Sequence, residues 1–187
     1  MIDAAILRDY LLLFLLPLWT MVGLADWACH RRAGIERFGL YEPVLHLVLI
    51  ALAGAPILMG LFLDINAPVL LLMLLCFLAH EAVGYADIRW ATARRGIPPL
   101  EQRLHDYLAA VPFAALGFVA VLKWRVIEGL LRDPGTALAA GLHLRPEPLP
   151  WPVVGAILAL VTLLNILPYA EEFIRAARYV RRRDDQR

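Results

Sequence analysis

The chain has 187 residues, 61% of them hydrophobic, with a mean hydropathy of +0.66, which is more apolar surface than a water-soluble domain of this size can bury. A net charge of +1 says little by itself, because the 18 basic residues are unevenly placed; all but Lys123 are arginines, which suit interfacial anchoring. Nothing accompanies them that would indicate nucleic acid, and Cys29 and Cys76, on different predicted helices, do not make a disulfide framework.

The bilayer is therefore part of the solvent. A hydrocarbon core takes about 20 helical residues to cross, and the apolar runs lack the dyad alternation of a barrel strand, so helices are expected. In chain order the spans fall at about 6–25, 44–63, 68–85, 104–122 and 151–169. The first has no basic start and no small-residue cleavage site, so it reads as a span rather than a signal peptide. The link Asp64-Ile-Asn-Ala-Pro68 is a tight turn that makes spans two and three a helical hairpin. Between spans four and five, Pro134, Gly135, Gly141, Pro146, Pro148 and Pro150 predict a short interfacial helix followed by an irregular stretch.

The expected architecture is all-α: one polytopic transmembrane helical bundle over residues 1–187 of about five spans, four of them enclosing a metal site. It divides into a site-bearing part at about 6–123, an external segment at 124–150, and the fifth span with a basic tail at 151–187. The connectors 26–43 and 86–103 and the tail after Tyr169 hold 13 of the 18 Lys and Arg. The positive-inside rule then places these segments in the cytoplasm, with the N-terminus outside, as in a multi-pass protein of the inner (cytoplasmic) membrane.

Four polar patterns lie on these spans: Asp26-Trp-Ala-Cys-His30, Glu42-Pro-Val-Leu-His46, His80-Glu81 with Asp87, and Glu101-Gln-Arg-Leu-His105. Three of them set a carboxylate four residues before a histidine, which stacks the two side chains one turn apart on one helical face. His80 and Asp87, seven apart, also share a face, with Glu81 about 100° around the helix. In the expected topology all four helix ends are cytoplasmic. An isolated pattern of this kind is ordinarily a helix cap facing water. Four together, holding all the histidines except His143, mark a site, because ionisable groups near membrane spans are costly and face a bundle interior.

Imidazoles with carboxylates suit iron, zinc or manganese, and the lack of clustered thiolates argues against iron–sulfur or structural zinc. The candidate ligands are Asp26, His30, Glu42, His46, His80, Glu81, Asp87, Glu101 and His105. They outnumber one tetrahedral shell, so two metal ions are expected, iron before zinc or manganese. Tyr85, Tyr107 and Cys29 are candidates for adjacent redox-active groups. Glu36 reads as an ion-pair partner of Arg32 or Arg37, and Glu171 and Glu172 suit a helix end in water; whether any of these three joins the site stays open. Arg31, Arg32, Arg94 and Arg95 suit either lipid anchoring or an anionic head group, and Trp27, Trp90, Trp124 and Trp151 suit the membrane interface.

In layout, these motifs within about residues 26–105 resemble the di-iron carboxylate four-helix bundles, in which acids and Glu-x-x-His pairs from four helices enclose two metals. They also resemble the membrane fatty-acid desaturases and hydroxylases, whose histidine clusters lie at the cytoplasmic ends of their spans. The spacing here is Asp/Glu-x-x-x-His, and the multi-histidine boxes of the desaturases are missing. The resemblance implies a membrane-embedded di-metal, di-iron enzyme that oxidises or hydroxylates a lipophilic substrate, with membrane lipids as surroundings and the oligomeric state open. Competing expectations are a zinc hydrolase at the same residues, a b-type haem electron-transfer protein, and a metal sensor or transporter.

Overall fold

A computed structural model describes residues 4–186; the first three residues and Arg187, the last of the expected basic tail, lie outside the described residues. Among the described residues the chain is helical, with no strand beyond an isolated antiparallel bridge between Leu63 and Leu144. Five helices are long and apolar enough to cross a membrane: α1 (Ala5–Ala33), α2 (Tyr41–Phe62), α3 (Ala67–Arg94), α4 (Pro99–Leu122) and, after the short helices α5 (Trp124–Arg132) and α6 (Pro134–Ala139), α7 (Trp151–Asp184). The expected irregular stretch after the interfacial helix thus begins later, at residue 140. Pro134 opens α6 without needing its missing N–H, and the Asp133 side chain caps it by accepting from Thr136 N at 3.2 Å.

The five long helices are neighbours in the order α1, α4, α3, α2, α7 and back to α1. They form a ring whose interior is available for a site. The α2–α3 hairpin turns as expected: Asn66 caps α3 by accepting from Val69 N, and Pro68 follows in its first turn. All five helices start or run on beyond the apolar windows, α3 to Arg94 and α7 to Asp184. Polar residues at these extensions keep helical geometry while leaving the apolar layer, and this brings ionisable side chains to one end of the ring.

Two local features aim the site. Gly34 takes a left-handed conformation at φ 66°, and its N–H closes on the carbonyl of His30, a helix stop that a residue with a Cβ resists. The chain then folds back so that Ile35 is fully buried, in a short turn of helix packed on α7. In α7, Pro168 removes an N–H, and the helix widens over Thr162–Ile166 into a π-helical turn in which Leu167 N reaches Thr162 O. The freed carbonyl of Leu164 accepts from Asn165 Nδ2 at 3.0 Å, and the same amide donates to Thr20 O on α1 at 3.1 Å. Gly23 permits this approach, since a Cβ there would meet Asn165 Nδ2 at 2.3 Å.

Candidate metal centre

Eight ionisable side chains are buried together at one end of the ring: Asp26 and His30 of α1, Glu42 and His46 of α2, Asp87 of α3, Glu101 and His105 of α4, and Glu172 of α7. Every long helix contributes. Donor atoms within 4.8 Å of one another group as Asp26 with His30 and His105, His30 with His46 and Glu172, His30 with Glu42 and Glu101, and Glu42 with His46 and Asp87.

Glu172 organises the centre. One of its oxygens lies 3.1 Å from His30 Nδ1 and the other 2.6 Å from His46 Nδ1. A carboxylate can only accept, so both imidazoles present Nδ1–H to it and turn an Nε2 lone pair inward. The two rings stack at 4.4 Å with 9° between their planes. Carboxylate–histidine pairs of this kind orient metal ligands.

The inward atoms then meet other acceptors. His30 Nε2 lies 3.4 Å from Asp26 Oδ2 and 3.5 Å from Glu101 Oε1, His105 Nε2 lies 3.2 Å from Asp26 Oδ1, and His46 Nε2 lies 3.3 Å from Asp87 Oδ1. Five of these atoms, Nε2 of His30, His46 and His105 and Oδ1 of Asp26 and Asp87, are buried with no hydrogen-bond partner. Unpaired buried polar atoms are costly and call for an explanation. Bonds of about 2.0–2.1 Å to a tetrahedral ion separate neighbouring ligand atoms by about 3.3 Å. The observed spacings are compatible with such coordination edges, so these groups could hold a metal ion.

Charge points the same way. With neutral imidazoles, the five buried carboxylates Asp26, Glu42, Asp87, Glu101 and Glu172 face one buried guanidinium, Arg95, which leaves four negative charges. Two divalent cations could neutralise them, and charge buried without partners is costly. Arg95 donates to Glu42 at 2.6 Å and also bonds Glu101. Burial works against its charge, yet the hydrogen bonds it donates to Glu101 and Glu42 more than offset this and hold its pKa above the ordinary arginine value.

Seven of the nine expected ligands are thus brought together, and His80 and Glu81 are not in these groups. His80 is buried, with Nδ1 3.4 Å from Glu81, whose side chain is 39% exposed. It shares a face with Asp87, but seven residues of helix put it about 10 Å further along the axis. A cavity of about 250 Å³ adjoins the centre, lined by Asp26, His46, His80, Asp87, His105 and Tyr169 among others. Tyr169 is the phenol in contact with the ligands: its hydroxyl lies 2.9 Å from Asp26 Oδ2 and 3.0 Å from Gly23 O. Tyr85 stands on the cavity wall, largely exposed, Tyr107 is exposed elsewhere, and Cys29 is half-buried and free.

Glu36 and Glu171 stand outside the cluster. Glu36 pairs with Arg175, and Glu171 accepts from Arg31 at 2.7 Å and Trp27 Nε1 at 3.1 Å. Sequence reasoning left Glu172 open, although a signal was present: Asn165, Tyr169 and Glu172 follow a spacing of four and three, a polar stripe on one face of an apolar helix. Searches of protein families, curated proteins and solved structures found no match to this chain, so its chemistry rests on this geometry.

Proposed function

We propose that the chain is a membrane-embedded di-metal enzyme, with iron as the metal, that hydroxylates or otherwise oxidises a lipophilic substrate at the cytoplasmic face. The observation that carries this reading is the set of buried, unpartnered ligand atoms on His30, His46, His105, Asp26 and Asp87, beside a cavity that reaches toward the apolar interior. One ion is held by Asp26, His30, His105 and Glu101, and the other by Glu42, His46 and Asp87. Glu172 fixes the two histidines between them, and Tyr169 holds Asp26. Four acids to three imidazoles suit iron or manganese better than a closed four-ligand zinc site. Haem fits poorly, because the stacked rings of His30 and His46 leave no gap for a porphyrin.

Two ions at this place would supply the site at which dioxygen is reduced. In a hydroxylation, a substrate C–H becomes C–OH with one oxygen atom. The other oxygen leaves as water, using two protons and two electrons from an external reductant such as a quinol or a one-electron carrier. The excess of basic residues on the connectors and tail supports a cytoplasmic location for the centre.

Elemental analysis and an absorption spectrum of the purified protein test the proposal. About two irons per chain are expected, with loss of one or both in His46→Ala. Protein that takes up no transition metal after reconstitution would refute a metal centre. Full occupancy by zinc with no dioxygen consumption would replace the oxidase with a hydrolase.

A further inference from the structure

A second, larger cavity of about 530 Å³ lies inside the ring, within the range of small-molecule sites. Trp19 and His80 line both this cavity and the one beside the metal centre, so they stand where the two adjoin. From there the wall is apolar along α1 and α4, and it ends at Arg8, Lys123 and Arg145. Twelve helical residues from Val111 to Lys123 correspond to about 18 Å.

The basic end is built by the external segment. Asp64 N donates to His143 O at 3.0 Å and Arg145 N to Phe62 O at 2.9 Å, which folds residues 143–145 over the end of α2. The Arg145 guanidinium then donates only to main-chain carbonyls, of Gly60 at 3.0 Å and Glu147 at 2.9 Å. Among the described residues no carboxylate pairs with it. Lys123 has Asp64 at 3.6 Å, and Arg8 has Asp9. Of the three basic residues that line this end, Arg145 is therefore the one without a carboxylate partner among the described residues, and its positive charge at the mouth of a long apolar cavity is the complement of an anionic head on a hydrocarbon chain.

We infer that the cavity binds a single-chain anionic amphiphile, a long-chain carboxylate or lysolipid, with its head at Arg145 and Lys123 and its tail running to Trp19 and His80. The metal centre then meets the end of the chain remote from the head group, so oxidation falls toward the methyl end. The reaction site rests on the proposed function, whereas the binding does not.

The test is binding of hexadecanoate to the full chain in non-ionic detergent, with and without prior chelation. Saturable binding in both samples is expected. Arg145→Gln should weaken it about tenfold, in line with loss of one charged contact, with hexadecanol binding and metal content unchanged. For orientation, a nitroxide near the methyl end of stearate should quench more of the fluorescence that Trp19→Phe removes than one near the carboxylate. Absent saturable binding, unchanged affinity in Arg145→Gln, or stronger quenching from the carboxylate end would each overturn the inference. Metal analysis of the same samples reads the metal centre separately.

Discussion

The two ends of the helical ring carry similar side chains in opposite circumstances. At the end that holds the cluster, Asp26, Glu42, Asp87, Glu101 and Glu172 are all buried and converge on three histidines and one arginine. At the other end, Arg125 and Glu128 pair at 3.2 Å with the arginine 93% exposed. The residue types therefore do not distinguish a site from a solvated surface. Burial does, because only groups withdrawn from water must find all their partners inside the protein.

That difference assigns the largest effect to Arg95. Arg95→Leu leaves Glu42 and Glu101 facing each other without their counter-ion, and breaking a buried pair in this way costs about 3–5 kcal/mol. Since the guanidinium pKa is raised above its ordinary value, Arg95 is charged throughout the working pH range. The loss should therefore hold through neutral and alkaline pH and shrink only where acid protonates the two freed carboxylates. Thermal unfolding in detergent after chelation measures it, and added divalent metal should restore part of the stability by supplying positive charge. An Arg95→Leu protein as stable as the parent would show that the buried acids are not held by this contact.

Glu172 comes next. Glu172→Gln keeps the shape but removes the charge shared by His30 and His46, and loss of such an orienting group weakens metal binding about 10–100-fold. Metal titration of the chelated protein should show this weakening, while Glu171→Gln, which alters contacts to Trp27, Arg31 and Arg175 outside the cluster, leaves affinity in place. Gly23→Ala acts through packing instead. A new Cβ at 2.3 Å from Asn165 Nδ2 must displace that amide and with it the hydrogen bond to Thr20 O, at a cost of about 1–2 kcal/mol. Circular dichroism melts would measure the loss.

The same contrast explains which parts could be read from the sequence. All five spans were legible from hydropathy, with α2 and α4 placed within about five residues at each end, because the bilayer demands long apolar runs. The helical extensions past the apolar windows were not, since a polar helix in water has no hydropathy signature. The i, i+4 pairs Asp26/His30, Glu42/His46 and Glu101/His105 were visible because one helix carries both partners. Glu172 and Arg95 depend on contacts across 126 and 53 residues, to His46 and Glu42. A one-dimensional pattern does not report such contacts. His80 shows the converse: heptad spacing fixes a shared face with Asp87 but leaves the two about 10 Å apart along the helix.

The smallest effect is the one that closes the comparison. Arg125→Ala removes one partner of Glu128, which keeps its hydrogen bond from Trp124 Nε1, on an amphipathic surface helix, where water already solvates both charges and α5 buries no residue. An exposed pair of this kind contributes about 0–0.5 kcal/mol, so neither the melting temperature nor the metal affinity should move measurably. Paired with Arg95→Leu in the same assay, it separates the two explanations of an arginine beside a carboxylate. Similar losses from both would mean that charge alone matters. A large loss from Arg95→Leu only would mean that withdrawal from water gives the cluster its hold on the fold.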